Sequence, residues 1–441
     1  MLIRIFMAVI VTVAGLAPAA ASVADTITIR ETAGAAVANA PIQIGRAFVA
    51  GEVPNFPRAV VAGTPVTTQA DVKCRWSDGS VKHAVISFML PSLAANASVS
   101  VAFVDQASGN NTAQTQAQML APSFDFDAVM RLTSGGTTVT ASGRTMLANG
   151  DYTTWANGPI ATTVVLADHS TARRYDIGFD ANRSFRPIVH ATFWPTIGKV
   201  HVRFIGEAAN TTAMQDLNYA LGLSVGSSSP QNVYSKASVA QGAASRWTKD
   251  FWIGGAPQAL AIDHNLAYLV QTYALPNYDT TKSYNGVTAA WNNWNSAAKD
   301  LYGAGNWTIY MPTTGGRPDI AIYPDWTMGW LYTFDPKMQQ VAFGQADLAA
   351  AWPVHFREGS AKRGTATRFF DRARTVSPIG RPLSINARPT FTSGTLNWYI
   401  NSPAANTDPL DYVNVVGPWG VNPWEPESRT CPIRSPRNTC S

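Results

Sequence analysis

The side chains best suited to proton chemistry are His264 and Tyr268, in the stretch Asp263-His264-Asn265-Leu266-Ala267-Tyr268. On a helix, residues four apart share a face. The two could then act as base and acid, with Asn265 beside them as a polar contact for a substrate. The same residues have a plainer reading, in which Tyr268 packs and His264 hydrogen-bonds a backbone carbonyl. Arg317 and Asp319 fall in the turn Gly315-Gly316-Arg317-Pro318-Asp319. Arg317 could clamp a carboxylate through two parallel bonds, or it could close the turn against Asp319. Tyr323 and Trp326 could offer a flat platform to a ligand, or fill a core between helices.

Other titratable groups carry less. His190 and His201 lie in alternating segments near Trp194 and could point to one face, but no third ligand with zinc spacing accompanies them. His355 falls late in a helical segment, where a cation is favourable in its own right. Lys82 and His83 adjoin Trp76. The chain has no H-E-x-x-H, no P-loop and no EF-hand loop. The expectation is therefore no cofactor and no metal site. A Ca²⁺ site would need oxygen ligands gathered from several loops, which spacing alone does not reveal.

These groups need elements to position them. Thr26–Arg30, Asp71–Trp76, Val81–Met89 and Ser98–Val104 alternate with period two, as half-buried strands do. Asp78-Gly79 between two of them reads as a tight hairpin turn, since Gly takes positive φ without steric cost. Residues 105–121 are rich in Gln, Asn, Ala and Thr and read as a loop or linker. A second alternating region follows: Thr137–Ala141, Thr162–Ala167, Ala172–Asp180, Pro187–Trp194 and Lys199–Ile205. Pro195-Thr196-Ile197-Gly198 turns the last pair into a hairpin, and Lys249–Trp252 with Gln258–Ile262 could complete that sheet. Gly222–Pro230 reads as a Ser/Gly loop. Beyond Asp263 the period changes to that of helices. Val287–Tyr302 and Pro324–Phe334 have helical spacing, and Asp335-Pro336 caps and starts a further helix lined by Val341, Leu348, Trp352 and Phe356.

The wording around the first hairpin is distinctive. The run from Thr26-Ile27-Thr28-Ile29-Arg30, through Pro41-Ile42-Gln43-Ile44-Gly45, to Trp76-Ser77-Asp78-Gly79-Ser80-Val81-Lys82 resembles the N-terminal RIFT-type barrel of the exo-rhamnogalacturonan lyase-like polysaccharide lyases. The likeness covers roughly residues 25–105, and His83 stands where that family has an aromatic residue. It implies an α+β multi-domain chain: an N-terminal antiparallel β-barrel, a β-sandwich-like region, then α/α-hairpins of a toroid. The segment from Thr314 to Trp326 looks like the lead-in to that toroid, which would be incomplete here, as in a truncated relative. The implied activity is cleavage of an acidic polysaccharide of the rhamnogalacturonan class by β-elimination. Such a reaction neutralises a uronate carboxylate, removes the adjacent proton with a base, and protonates the leaving oxygen. Here His264, Tyr268 and Arg317 would be catalytic, while Asn265, Asp319, Tyr323 and Trp326 would bind the sugar. A non-catalytic glycan-binding or envelope protein is the alternative, and a hydrolase with two carboxylates such as Asp319 and Asp325 is a third.

Composition sets the remaining bounds. The start of the chain joins Arg4 to an apolar run from Ile5 to Leu16 and small residues at Ala19–Ala24, the pattern of a secretory signal over residues 1–24. The expected locale is secreted or periplasmic, and no later segment reads as a membrane span. The chain holds 441 residues, 14% of them charged, with a net charge of +5. That dilute charge permits an acidic polysaccharide or oligosaccharide partner, and the lack of a basic block argues against nucleic acid. Expected boundaries are a barrel at 25–105, a sandwich-like region at 122–262, a helical region at 263–426 and a disordered tail at 427–441. Of the three cysteines, Cys74 reads as a small buried hydrophobe. Cys431 and Cys440 could close a loop in an oxidising compartment.

Overall fold

The computed structural model describes residues 23–167, 185–208, 217–242, 245–307 and 322–351. The first unit opens with seven consecutive strands: β1 (Thr26–Arg30), β2 (Val37–Ala47), β3 (Phe56–Val61), β4 (Thr64–Pro65), β5 (Thr68–Arg75), β6 (Val81–Leu93) and β7 (Ser98–Gln106). Helix α1 (Gln116–Met119) leads to β8 (Ala128–Ser134), β9 (Thr137–Ser142), α2 (Gly143–Ala148), β10 (Tyr152–Ala156), β11 (Thr162–Leu166) and β12 (Phe185–Trp194). Then come β13 (Lys199–Ala208), β14 (Leu217–Val225), β15 (Gln231–Gln241), β16 (Arg246–Ile253) and β17 (Ala261–Asp263). Four helices close the described chain: α3 (Leu266–Gln271), α4 (Val287–Ser296), α5 (Asp325–Thr333) and α6 (Pro336–Leu348).

The strands form four antiparallel sheets. In the first unit, β17-β1-β7-β3-β4 faces β2-β6-β5 across a core of Ile27, Ile29, Ile42, Ile44, Phe48, Phe88 and their neighbours. The expected closed barrel is not what forms. Closure needs hydrogen bonds between the two sheets, but β1 already has β7 on one side and β17 on the other, while β2 pairs only with β6. The result is a two-sheet sandwich with open edges. As an edge strand, β2 tolerates Pro41, which lacks an N–H to donate.

The second unit sets β10-β11-β12-β13-β16 against β15-β14-β8-β9. Its core joins Met130, Phe185, Phe193, Phe204, Leu223 and Trp247, among others. Trp194 ends β12, a 3₁₀ turn at Pro195–Ile197 follows, and Gly198 takes φ +59° to start β13. The short strand β17 does not complete this sheet, as the alternation had suggested. It returns to β1 of the first unit, with Thr28 opposite Asp263.

The described residues are thus predominantly antiparallel β, and no helical toroid is formed among them, against the expected α+β array. Among the described residues the helices after Asp263 are short, and α4, α5 and α6 gather on one cluster around Trp294, Trp326, Met338 and Val341 rather than in a ring, while α3 packs apart from them on Arg46. The α5–α6 connection is locally well specified. Asp335 accepts from the amides of Lys337 (2.7 Å) and Met338 (3.3 Å), and Pro336 opens α6. No described helix is long and apolar enough to cross a membrane.

Candidate functional site

The sequence-derived candidates divide between separate places. His264 precedes α3 rather than lying on it, because Asn265 is the N-cap, in the left-handed region at φ +61° with its Oδ1 accepting from the Tyr268 amide at 3.2 Å. His264 and Tyr268 therefore do not share a helical face. The His264 ring meets the edges of Trp330 and Phe334, at 6.1 and 5.6 Å between centroids. Burial, with the nearby charge of Arg46, lowers its pKa to about 4.

Tyr268 is fully buried and donates its hydroxyl to Glu52. Its ring lies 4.2 Å from the guanidinium carbon of Arg46, which is itself fully buried. Arg46 donates to Asp25 Oδ1 through Nε (2.9 Å) and Nη2 (2.5 Å), and to the His264 carbonyl (2.8 Å). Burial pushes the Asp25 carboxyl up to about 7 despite Arg46, and its Oδ2 has no hydrogen-bond partner among the described residues. This cluster ties the segment before β1 to β2 and α3. It is closed to a polymeric ligand, and its chemistry is that of a buried anchor.

Trp326 sits in the helical core, with its ring 5.1 Å from that of Trp307. Tyr323 is half-buried and lies 6.4 Å from Tyr278. Asn265 lines a cleft of about 320 Å³ shared with Thr26, Thr28, Asp263, Lys282 and Tyr332. Arg317, Asp319 and His355 lie outside the described residues. Lys82 covers Trp76 at 4.4 Å, and Trp76 Nε1 donates to the Phe48 carbonyl at 2.9 Å, so that pair braces the hairpin.

A denser constellation lies on the outer face of the five-stranded sheet of the second unit. Strand alternation sends Val189, Ala191, Phe193, Val200, Val202 and Phe204 into the core and the intervening residues outward. Register then sets His190 opposite Arg203 and Arg203 opposite Asp250, and in the next row Thr192 opposite His201 and His201 opposite Trp252. His201 Nε2 lies 3.2 Å from Asp250 Oδ1, and Arg203 Nη1 lies 3.3 Å from Oδ2 of the same carboxylate. The other arm of Arg203 reaches Asp347 on α6. The His201 and Trp252 rings are 5.0 Å apart. About a third of each of the His201, Asp250 and Arg203 side chains is open to solvent.

The electrostatics of this row separate its members. Burial, reinforced by Arg203 and Arg246, lowers His190 to about 4. Burial raises Asp347, opposed by Arg203 and reinforced by Asp250. His201 has Nε2 turned to Asp250, the arrangement in which a carboxylate fixes the imidazole's orientation. Asp250 and Asp347 also line a cavity of about 160 Å³ between β16 and the helices, shared with Arg246, Lys249, Trp294 and Tyr302. At its rim Asp300 accepts from Lys236 and Lys249 (2.8 Å each) and from Tyr234 (2.9 Å). Burial alone would raise Asp300, but those bonds hold it below the usual carboxylate range.

Part of this row was visible in the sequence as His190 and His201 on facing strands. The hairpin turn at Pro195–Gly198 fixes their register, and the Lys249–Trp252 segment supplies the third strand. Asp347 gave no such signal, because it reaches the row from a helix far along the chain. Among the described residues no three His, Cys, Asp or Glu side chains gather as metal ligands. Cys74, expected to be buried, is exposed. No model of a known protein family matches the chain, and no curated protein matches it.

Proposed function

We propose that the protein is an exported carbohydrate-active protein that cleaves an acidic polysaccharide by β-elimination at the His201 row. The observation that carries this reading is the His201–Asp250–Arg203 arrangement beside Trp252, held on a rigid sheet and one-third open. Asp250 orients the imidazole, and Nδ1 removes the proton next to the uronate carboxylate. The electron pair forms the new carbon–carbon double bond, the glycosidic carbon–oxygen bond breaks, and the imidazolium returns its proton to the leaving oxygen. Arg203 offers charge to the substrate carboxylate, and Trp252 offers an apolar face to the ring. The signal-like start of the chain and the hairpin wording at Trp76–Lys82 support the same reading.

A specific feature favours the second reading, a glycan-binding protein without catalysis. Arg203 already divides its charge between Asp250 and Asp347. The test is to incubate the chain with polygalacturonate and rhamnogalacturonan while following ultraviolet absorbance and binding. Growth of an unsaturated uronyl chromophore that His201→Ala abolishes upholds the lyase. Binding without absorbance upholds the second reading, and neither signal removes both.

A further inference from the structure

The seam between the two sandwiches carries a second open site. A cleft of about 480 Å³ is lined by Phe56, Asp71, Lys73, Arg75, Asn111 and Asn157, with Val72 and Cys74 completing its wall. Clefts between packed units are where small-molecule sites concentrate. The floor is ordered. Asp71 is buried and accepts from Gln69 Nε2 (2.9 Å), Asn111 Nδ2 (3.3 Å) and the Asn157 amide (2.7 Å). Its charge is thereby engaged below the surface. Lys73, Arg75 and Asn111 are exposed above it.

Adjoining the cleft stands Trp155, 57% exposed. It does not sit in a regular ladder. The β10–β11 register shifts between Thr154 and Ala156, so Trp155 is the extra residue of a bulge on an edge strand. Lys73 leaves its own ladder in the same way, where the β5–β6 register shifts between Val72 and Cys74. The two bulged residues meet across the seam. Lys73 donates to the Trp155 carbonyl, and its Nζ lies 4.4 Å from the ring centroid. Bulges re-aim side chains at functional edges, and here two of them aim an ammonium and an indole at one place.

Such a set suits a particular chemistry. An exposed indole receives the C–H face of a pyranose ring, the side-chain amide of Asn157 suits hydroxyls, and an ammonium suits a carboxylate. We propose that this seam cleft is a binding subsite for an anionic saccharide, with Trp155 as platform and Lys73 as counter-charge. The subsite rests on the acidic-polysaccharide reading above, to which it adds where the polymer is gripped away from His201.

The test titrates the full chain with a galacturonate oligomer and with a neutral glucose oligomer of equal length, by calorimetry at two salt concentrations. Trp155→Ala is expected to lower galacturonate affinity by about tenfold or more, the scale of one lost stacking contact. Lys73→Gln is expected to lower it and to flatten its salt dependence. Parent-like binding by both seam variants, equal binding of the neutral oligomer, or no binding by the parent overturns the subsite. If elimination fails in the parent yet Trp155→Ala still weakens binding, the subsite stands and the lyase reading falls. If elimination depends on His201 while both seam variants bind normally, the reverse holds.

Discussion

Gln69 and Ala161 exchange two hydrogen bonds across the seam between the sandwiches, from Gln69 Nε2 to the Ala161 carbonyl (2.8 Å) and from the Ala161 amide to Gln69 Oε1 (3.0 Å). Gln69 is fully buried, so it reproduces a strand-like pairing with one side chain. Gln69→Ala leaves both Ala161 groups without partners, and the expected loss is about 2–4 kcal/mol. Gly158 allows the approach, because a Cβ there would collide with the Gln69 side chain. Gly158→Ala should cost about 1–3 kcal/mol. Urea denaturation followed by tryptophan fluorescence and by circular dichroism checks both, and separation into two transitions would mark the sandwiches uncoupling.

Arg46 is the centre of the other large buried cluster. Arg46→Ala strands Asp25 and removes the bond to the His264 carbonyl, and it should cost about 3–5 kcal/mol. Tyr268→Phe deletes only the hydroxyl that Glu52 accepts from, for about 1.5–3 kcal/mol. Thermal unfolding of the two variants should preserve that order. A Tyr268→Phe variant with unchanged stability would show that the Glu52 contact contributes little.

The pH dependence follows from opposed groups. His190 and His264 stay neutral in the folded chain until about pH 4, whereas unfolded they take protons near 6.5. Between those values the unfolded chain binds more protons, so stability falls as pH falls. Asp25 acts in the other sense. Its folded value of about 7 against 3.8 unfolded means its contribution is full below 3.8 and lost as pH rises through 7. Between pH 4.5 and 6 the two histidines outweigh Asp25, and His83 (lowered by burial) and Asp347 (raised by burial) oppose one another, so stability rises with pH. Asp25→Asn removes the opposing group and should steepen that rise. Denaturation midpoints at several pH values give the slopes, and an unchanged slope in Asp25→Asn would remove Asp25 from the balance.

Asp300 holds Lys236, Lys249 and Tyr234 at a half-exposed position. Solvent screens it, so Asp300→Asn should cost only about 1 kcal/mol, and less at high salt. Because the carboxyl is held low, the contribution should persist into mild acid. Stability of both chains at low and high salt tests this.

Much of the local structure was legible because it rests on local chemistry. β1 begins and ends where its alternation does, the Asp78-Gly79 turn forms with Gly79 at φ +88°, and Asp335 caps α6. What failed depends on distant partners. Cys74 reads as buried from its residue type in a strand segment, but it follows the bulge at Lys73 and is exposed. Spacing alone sets His264 on the helix of Tyr268, whereas Asn265, an N-cap residue type, starts that helix one position later. The barrel was inferred from wording shared with a family, whereas closure is decided by which strand occupies the free side of β1. The His201 row needed the register of three strands and a residue from α6, which spacing along the chain does not encode.

That occupant of β1 has a temporal consequence. The first sheet is finished by β17, which a ribosome delivers only after the whole second sandwich has been made. Until then the outer rim of β1 offers unsatisfied amides to any neighbour, a recruiting edge for stray strands. A nascent chain halted before Ala261 should clump or summon a chaperone, and the closing stitch comes late and slowly, as distant pairings do.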